Sequence, residues 1–239
     1  MQKKGSVAVT VDLLRVFPIL QGLSDTVLSQ LAQQSLLRHY ARRAIVLSAG
    51  QHEESLCFLY EGRLQAVDFT VDGREVGMYF IEPSGFCGEL GLLDQGEQPE
   101  YIVALTRSQV VLVPMALLRE VMNQSPSLMS LLCQRLAARV RAMTQQRSLL
   151  GLPNIAQRVC GQLQMLVNTR SWQPDEQQLI HNPPTHQEIA IMLNLSRETV
   201  TRVFQQLQGQ KIVKRDGTSR LLIDDPGTLA QLACGEKEL

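Results

Sequence analysis

Residues Thr185 to Leu207 read THQEIAIMLNLSRETVTRVFQQL, and the apolar spacing of this stretch decides the fold of the C-terminal part of the chain. Thr185 is placed to cap a helix, and Glu188, three residues on, to reach back and complete a capping box. Ile189, Ala190 and Leu193 then fall on one inward face. Asn194 tolerates the left-handed backbone that a tight corner between helices requires, and Ser196 is placed to cap a second helix. On that helix, at about 100° per residue, Val200, Val203 and Leu207 form one stripe. Arg197, Glu198, Thr201, Arg202 and Gln205 gather on the opposite arc. The pattern predicts a helix-turn-helix with one face to pack and one face to read.

The free face carries chemistry suited to DNA. Arginine pairs bidentately with guanine O6 and N7, glutamate accepts from cytosine N4, and the first turns of a recognition helix are the part that enters the major groove. The competing reading is an ordinary solvated face of an amphipathic helix, and the capped corner together with the correct apolar spacing weighs against it. Beyond the helix, Lys211 to Asp225 (KIVKRDGTSRLLIDD) reads as strand, Asp-Gly turn, strand. Lys214, Arg215 and Arg220 on this wing are expected against phosphates, contacts that position without specifying sequence. From Thr185 to Arg220 there are six Lys or Arg against three acids, a local surplus in a chain of zero formal net charge. Affinity for DNA of unrelated sequence is therefore expected to be modest and salt-sensitive.

With these residues in hand, the chain resembles the CRP/FNR family of bacterial transcription regulators over nearly its whole length. The resemblance implies an α+β chain. Residues 1–125 would form a cyclic-nucleotide-binding-type β-roll (jelly roll), residues 126–150 a long dimerisation helix and hinge, and residues 151–239 a winged helix-turn-helix. It implies a homodimer on double-stranded DNA at a two-fold TGTGA-like palindrome, with RNA polymerase as a further partner. Arg197, Glu198 and Arg202 match the family's base-reading set. Thr185, Gln187, Ser196 and Thr199 match its phosphate contacts, and Thr201 on the same arc is expected beside them.

The rest of the chain is consistent with that reading. Its 239 residues, 44% hydrophobic, suffice for one or two domains with a sizeable core. No stretch of 18 apolar residues occurs, and Asp12 with Arg15 interrupts any signal-peptide core, so a soluble cytoplasmic protein without a membrane partner is expected. The five cysteines, Cys57, Cys87, Cys133, Cys160 and Cys234, are scattered and never form C-x-x-C, which indicates neither a disulfide scaffold nor a zinc site. Nothing before Cys57 supplies the N-terminal cysteine cluster with which some relatives hold an iron-sulfur centre. Gly50, Gly62, Gly73, Gly85 and Gly96 recur every 11 or 12 residues between short apolar stretches, as in an all-β sandwich or roll. Ser24 with Asp25 offers a helix start before them. A cupin-type metalloenzyme also has short strands and glycine turns, but His39, His52, His181 and His186 are dispersed. No G-x-S-x-G or Walker A motif is present. The expectation is a protein that is not an enzyme and holds no metal.

In the roll, Gly85 to Leu93 reads GFCGELGLL, where glycines let backbone N–H groups approach an anion and a short helix begins. Read alone, G-E-L is merely a turn. By resemblance, Gly88, Glu89 and Leu90 line an effector pocket, with the Glu accepting from a ribose hydroxyl. Cyclic-AMP binders place an Arg followed by Ser or Thr about ten residues later, and this chain has Pro99 and Glu100. From Gly88 to Glu100 there are four acids and no Lys or Arg, and Pro99 has lost its N–H donor. A charge-assisted hydrogen bond contributes roughly 1.5 to 3 kcal/mol, so cyclic AMP is disfavoured in the family's usual pose. Three alternatives remain for the pocket: a vestigial site, a different ligand such as a cyclic dinucleotide or an apolar metabolite, or a clamp supplied by Arg74 or Arg107.

Pro126 to Leu149 has good helix formers throughout. Met129, Leu132, Leu136, Val140 and Met143 follow three-and-four spacing, as a partner-packing seam does. A helix in the core of a single subunit has the same periodicity. Arg135, Arg139, Arg141 and Arg147 are expected to flank that seam. The positions where cyclic-AMP binders place a Thr-Ser pair against adenine fall on Met143 and Thr144. Gly151 and Pro153 then break the helix.

Overall fold

The structure, a computed structural model, describes residues 8–168, 178–217 and 219–239. It divides into two compact units, one from residues 8–74 with 78–140, the other from residues 75–77 with the described part of 141–239. The division falls inside a helix.

The first unit opens with helices α1 (Val11–Arg15) and α2 (Asp25–Gln34), the latter capped by Ser24, whose hydroxyl accepts from the Val27 N–H at 3.4 Å. The strands follow as β1 (Leu36–Tyr40), β2 (Ile45–Leu47), β3 (Ser55–Glu61), β4 (Leu64–Phe69), β5 (Glu75–Ile81) and β6 (Phe86–Cys87). Helix α3 (Glu89–Asp94) precedes β7 (Tyr101–Ala104) and β8 (Ser108–Pro114), and α4 (Met115–Gln124) leads into α5 (Pro126–Leu150). One sheet has the order β1-β8-β3-β6 and the other β2-β7-β4-β5. This is the β-roll that the glycine rhythm predicts. Its interior holds Leu59, Leu64, Ala66, Ile81, Ile102 and Val110. A second core under the helices joins Phe17, Phe58 and Phe86 to Leu128 and Leu132 of α5.

Two glycines are demanded by this geometry. Gly62, between β3 and β4, has φ +98°, and an added Cβ would stand 2.6 Å from the Arg107 carbonyl oxygen. Gly88 caps α3 at φ +89°, with the Leu47 side chain 3.2 Å from where its Cβ would be.

The second unit is a winged helix-turn-helix. Helix α6 (Ile155–Asn168) precedes β9 (Gln178–His181), α7 (His186–Leu193), α8 (Arg197–Gly209), the hairpin β10 (Val213–Asp216) and β11 (Arg220–Ile223), and α9 (Pro226–Cys234). The three strands pair in the order β10-β11-β9, so the wing is a small sheet rather than a lone hairpin. Gly217 supplies the positive φ of +64° in its turn, and Thr218 lies outside the described residues. Ile189, Leu193, Val200, Val203, Phe204 and Leu207 close one core with Val159 and Leu163 of α6 and Leu229 of α9. No helix among the described residues is long and apolar enough to cross a membrane.

Candidate DNA-reading face and effector pocket

The corner between α7 and α8 forms by the expected chemistry. Thr185 Oγ1 accepts from the Glu188 N–H at 3.2 Å, and Glu188 Oε2 accepts from the Thr185 N–H at 2.9 Å. Asn194 adopts φ 51°, ψ 50°. Ser196 Oγ accepts from the Thr199 N–H at 3.1 Å and lies 2.9 Å from the Thr199 hydroxyl. The first cap fixes where α7 begins and the Ser196 cap where α8 begins, and α8 buries Val200, Val203, Phe204 and Leu207. Arg197, Glu198, Arg202 and Gln205 are left exposed along one side. Thr185, Gln187 and Ser196 are also exposed beside the start of the two helices.

Thr201 differs from its expected role. Its hydroxyl donates to the Arg197 carbonyl at 2.9 Å and lies 2.9 Å from His186 Nδ1, so it is engaged within the protein rather than offered to a phosphate. The His186 ring also packs on Phe204, with centroids 4.5 Å apart. Burial, then Arg215 and Arg197, hold this imidazole below its ordinary pKa. On the wing, Lys214 and Arg215 are exposed, while Arg220 lies 3.6 Å from Asp216 across the turn. An exposed pair of this kind contributes only about 0–1 kcal/mol, so Arg220 remains available to an anion.

The residues expected to line an effector pocket are arranged differently from the sequence reading. Arg139 of α5 does not flank a seam. Its Nη1 pairs with the fully buried Glu89 carboxylate, and its guanidinium lies 3.8 Å from the centre of the Tyr79 ring. The Tyr79 hydroxyl donates to Glu100, whose side chain is buried, whereas Pro99 is exposed. Burial raises the Tyr79 phenol well above the usual tyrosine range, and Glu100 and Glu89 push it the same way against Arg139. The phenol is therefore a neutral donor. Glu89 Oε2 and Arg139 Nη2 stay buried without a hydrogen-bond partner among the described residues.

The cation beside Glu89 is thus neither Arg74 nor Arg107. Arg74 pairs with Asp72 at 2.9 Å on the exposed β4–β5 turn, and Arg107 is exposed. Sequence reasoning missed Arg139 because periodicity places a residue on a helix but does not say which of two adjacent faces meets the roll. Gly88 and Leu90 flank Glu89 at the start of α3, Gly88 buried and Leu90 half-buried. Thr144 is exposed on the part of α5 that belongs to the other unit.

The same ambiguity corrects the seam. Leu132 is 1% exposed and lies in the core of the first unit, so it cannot meet a partner. Met129, Val140 and Met143 are exposed, and Leu136 is half-buried. No cluster of three or more metal-ligating side chains occurs among the described residues.

Comparison with known proteins covers both units. The model of the cyclic nucleotide-binding domain matches residues 37–125, and that of the Crp-like helix-turn-helix domain matches residues 157–232. The cAMP-activated global transcriptional regulator CRP of Pasteurella multocida is 26% identical over 187 residues, covering 76% of this chain and 87% of the relative. FixK2 from Bradyrhizobium japonicum has the same fold, with a TM-score of 0.71 at 20% identity over 83% of this chain and 96% of its own. The c-di-GMP responsive global regulator CLP of Xanthomonas campestris also shares it, with a TM-score of 0.63 at 20% identity over 83% of this chain and 99% of its own. With a sensor roll and a helix-turn-helix each matched in chain order, and relatives aligned across both, the chain belongs to the CRP/FNR family of transcription regulators.

Proposed function

We propose that this chain regulates transcription as a homodimer on a palindromic TGTGA-like operator, reading bases through Arg197, Glu198 and Arg202. The observation that carries this reading is the exposure of those three side chains on a helix whose start is fixed by the Ser196 cap and the left-handed Asn194 corner. Two such helices about one DNA turn apart, ~34 Å, match a two-fold operator. Contact with RNA polymerase follows from the role of a transcription regulator and belongs to the same proposal.

Cyclic AMP is disfavoured in the family's usual pose. The buried position that would meet the phosphate carries Glu100, and the guanidinium of Arg139 is already matched by Glu89. An anionic effector bound at this place would face two buried carboxylates, Glu89 and Glu100. A cyclic dinucleotide, to which the Xanthomonas regulator responds, meets the same obstacle. We infer regulation by an effector held differently from cyclic AMP. The second reading, a regulator competent without effector, is favoured by the Arg139–Glu89 ion pair and the Tyr79–Glu100 hydrogen bond, which the protein makes without a ligand.

The test is fluorescence anisotropy of a labelled TGTGA/TCACA duplex at fixed salt, without ligand and with cyclic AMP or cyclic di-GMP. Specific binding that ignores both nucleotides supports competence without either of them. Dependence on cyclic AMP overturns the reading of Pro99 and Glu100, and equal affinity for an unrelated duplex overturns the operator.

A further inference from the structure

We propose that His186 is a proton-dependent contact to the DNA backbone: with one ring proton it holds the recognition helix, and with two it also donates through Nε2 to a phosphate. This rests on the DNA-binding reading above. Thr201 Oγ1 has a single proton and gives it to the Arg197 carbonyl at 2.9 Å. Toward His186 Nδ1, also 2.9 Å away, the same oxygen is therefore an acceptor. The proposal therefore puts the ring proton on Nδ1, which in the neutral ring leaves Nε2 as a bare lone pair.

The ring is held by the recognition helix itself. Phe204 stacks on it and Thr201 fixes its edge, so the imidazole cannot rotate away without losing both contacts. No protein partner for Nε2 is found among the described residues, and Nε2 is not among the buried atoms left without a partner. The charged groups acting on the ring are Arg215 from β10 and Arg197 from α8, both cationic. Without DNA, burial first and then these two cations lower the ring's pKa. A phosphate brought against the wing Arg215 and the ring reverses that balance, because the nearest new charge is negative and Nε2–H is a charge-assisted donor to it. DNA binding and proton uptake are then linked. A neutral His186 presents only an electron pair to the backbone, whereas a protonated one adds a contact without moving the helix.

The experiment measures affinity by anisotropy between pH 8 and pH 5.5 at constant ionic strength, on the palindrome and on an unrelated duplex at low salt. Because the contact is to phosphate, the pH effect is expected on both duplexes, about threefold to tenfold tighter at the acid end for each chain engaged. The salt dependence should steepen by roughly 0.9 per chain in the slope of log K against log salt. His186→Gln should flatten both effects, and His186→Arg should bind independently of pH at the acid-end affinity of the parent. Nitrogen-15 shifts of the free protein should show the Nδ1–H form. An Nε2–H form in the free protein, or a pH effect that survives His186→Gln, overturns the proposal. Failure of the operator reading looks different: the two duplexes then bind equally, and the pH effect is still measured on each. Binding to neither at any pH overturns both.

Discussion

Arg139 shows how one side chain is held by opposing demands. It joins a fully buried carboxylate, lies over an aromatic face and comes from a helix whose other arginines are exposed. Removing one member of a buried pair leaves an uncompensated charge, at a cost of about 3–5 kcal/mol, whereas removing both is far cheaper. Arg139→Met alone should therefore destabilise the protein strongly in urea, and Glu89→Gln added to it should recover much of the loss. Additive effects of the two substitutions would sink the idea that the pair acts as a unit. Arg197 sits at the opposite extreme, exposed and without a folding role. Arg197→Ala should leave unfolding unchanged and weaken operator binding by ~1–3 kcal/mol, with relaxed specificity at one base pair. Loss of binding to all duplexes alike would instead mark Arg197 as a phosphate contact. His186 adds a pH term to stability. Its folded pKa lies below the unfolded value, so the unfolded chain binds more protons between the two. Stability without DNA should be level above about pH 7 and fall as pH drops through the ordinary histidine range near ~6.5. His186→Gln should remove that part of the fall, as read by thermal melts at several pH values.

At the scale of elements, the corner between α7 and α8 was legible because each of its signals acts within a few residues. Thr185 with Glu188, Asn194 and Ser196 each satisfy backbone groups or dihedrals of their own neighbourhood. Ser196→Ala should cost about 1 kcal/mol of stability through loss of the cap. Asn194→Gly should be tolerated at the same corner while Asn194→Val should not, since only the latter resists positive φ. Equal melting temperatures for the two Asn194 variants would show that the corner does not rest on this dihedral. Helix α5 was legible as a helix and misleading as a surface. Leu128, Leu132, Arg135 and Arg139 repeat at intervals of four, three and four, and so do Met129, Cys133, Leu136 and Val140. The two stripes lie side by side, and only the three-dimensional structure shows that Leu128, Leu132 and Arg139 turn into the first unit. The third strand of the wing sheet was missed for a related reason. β9 pairs with β11 across some forty residues of sequence, and no local pattern announces that partner.

For the whole molecule, the exposed stripe on α5 has to be reconciled with water. Val140 is 63% exposed and Met143 44%, beside the half-buried Leu136. A row of apolar side chains at three-and-four spacing matches the seam of a two-stranded helical contact. Cys133 is exposed on the same stripe, between Met129 and Leu136, which makes it a reporter of the proposed homodimer. The other thiols supply the controls. Cys160 is buried and its pKa is pushed up to about 12, and Cys57 and Cys87 are buried in the roll, so all three should resist a maleimide at pH 7. Cys234 is exposed and should react at any concentration. Cys133 should react quickly only in dilute protein and become protected as concentration rises, in step with the mass measured by sedimentation. Val140→Glu places a charge in the stripe without touching the core, so it should keep Cys133 reactive throughout and leave the melting of the dilute protein unchanged. It should also weaken operator binding, because two half-sites are then met by separate molecules. Protection of Cys133 that persists in a monomeric Val140→Glu protein would mean that α5 is covered by its own chain, and the paired arrangement of recognition helices would lose its support.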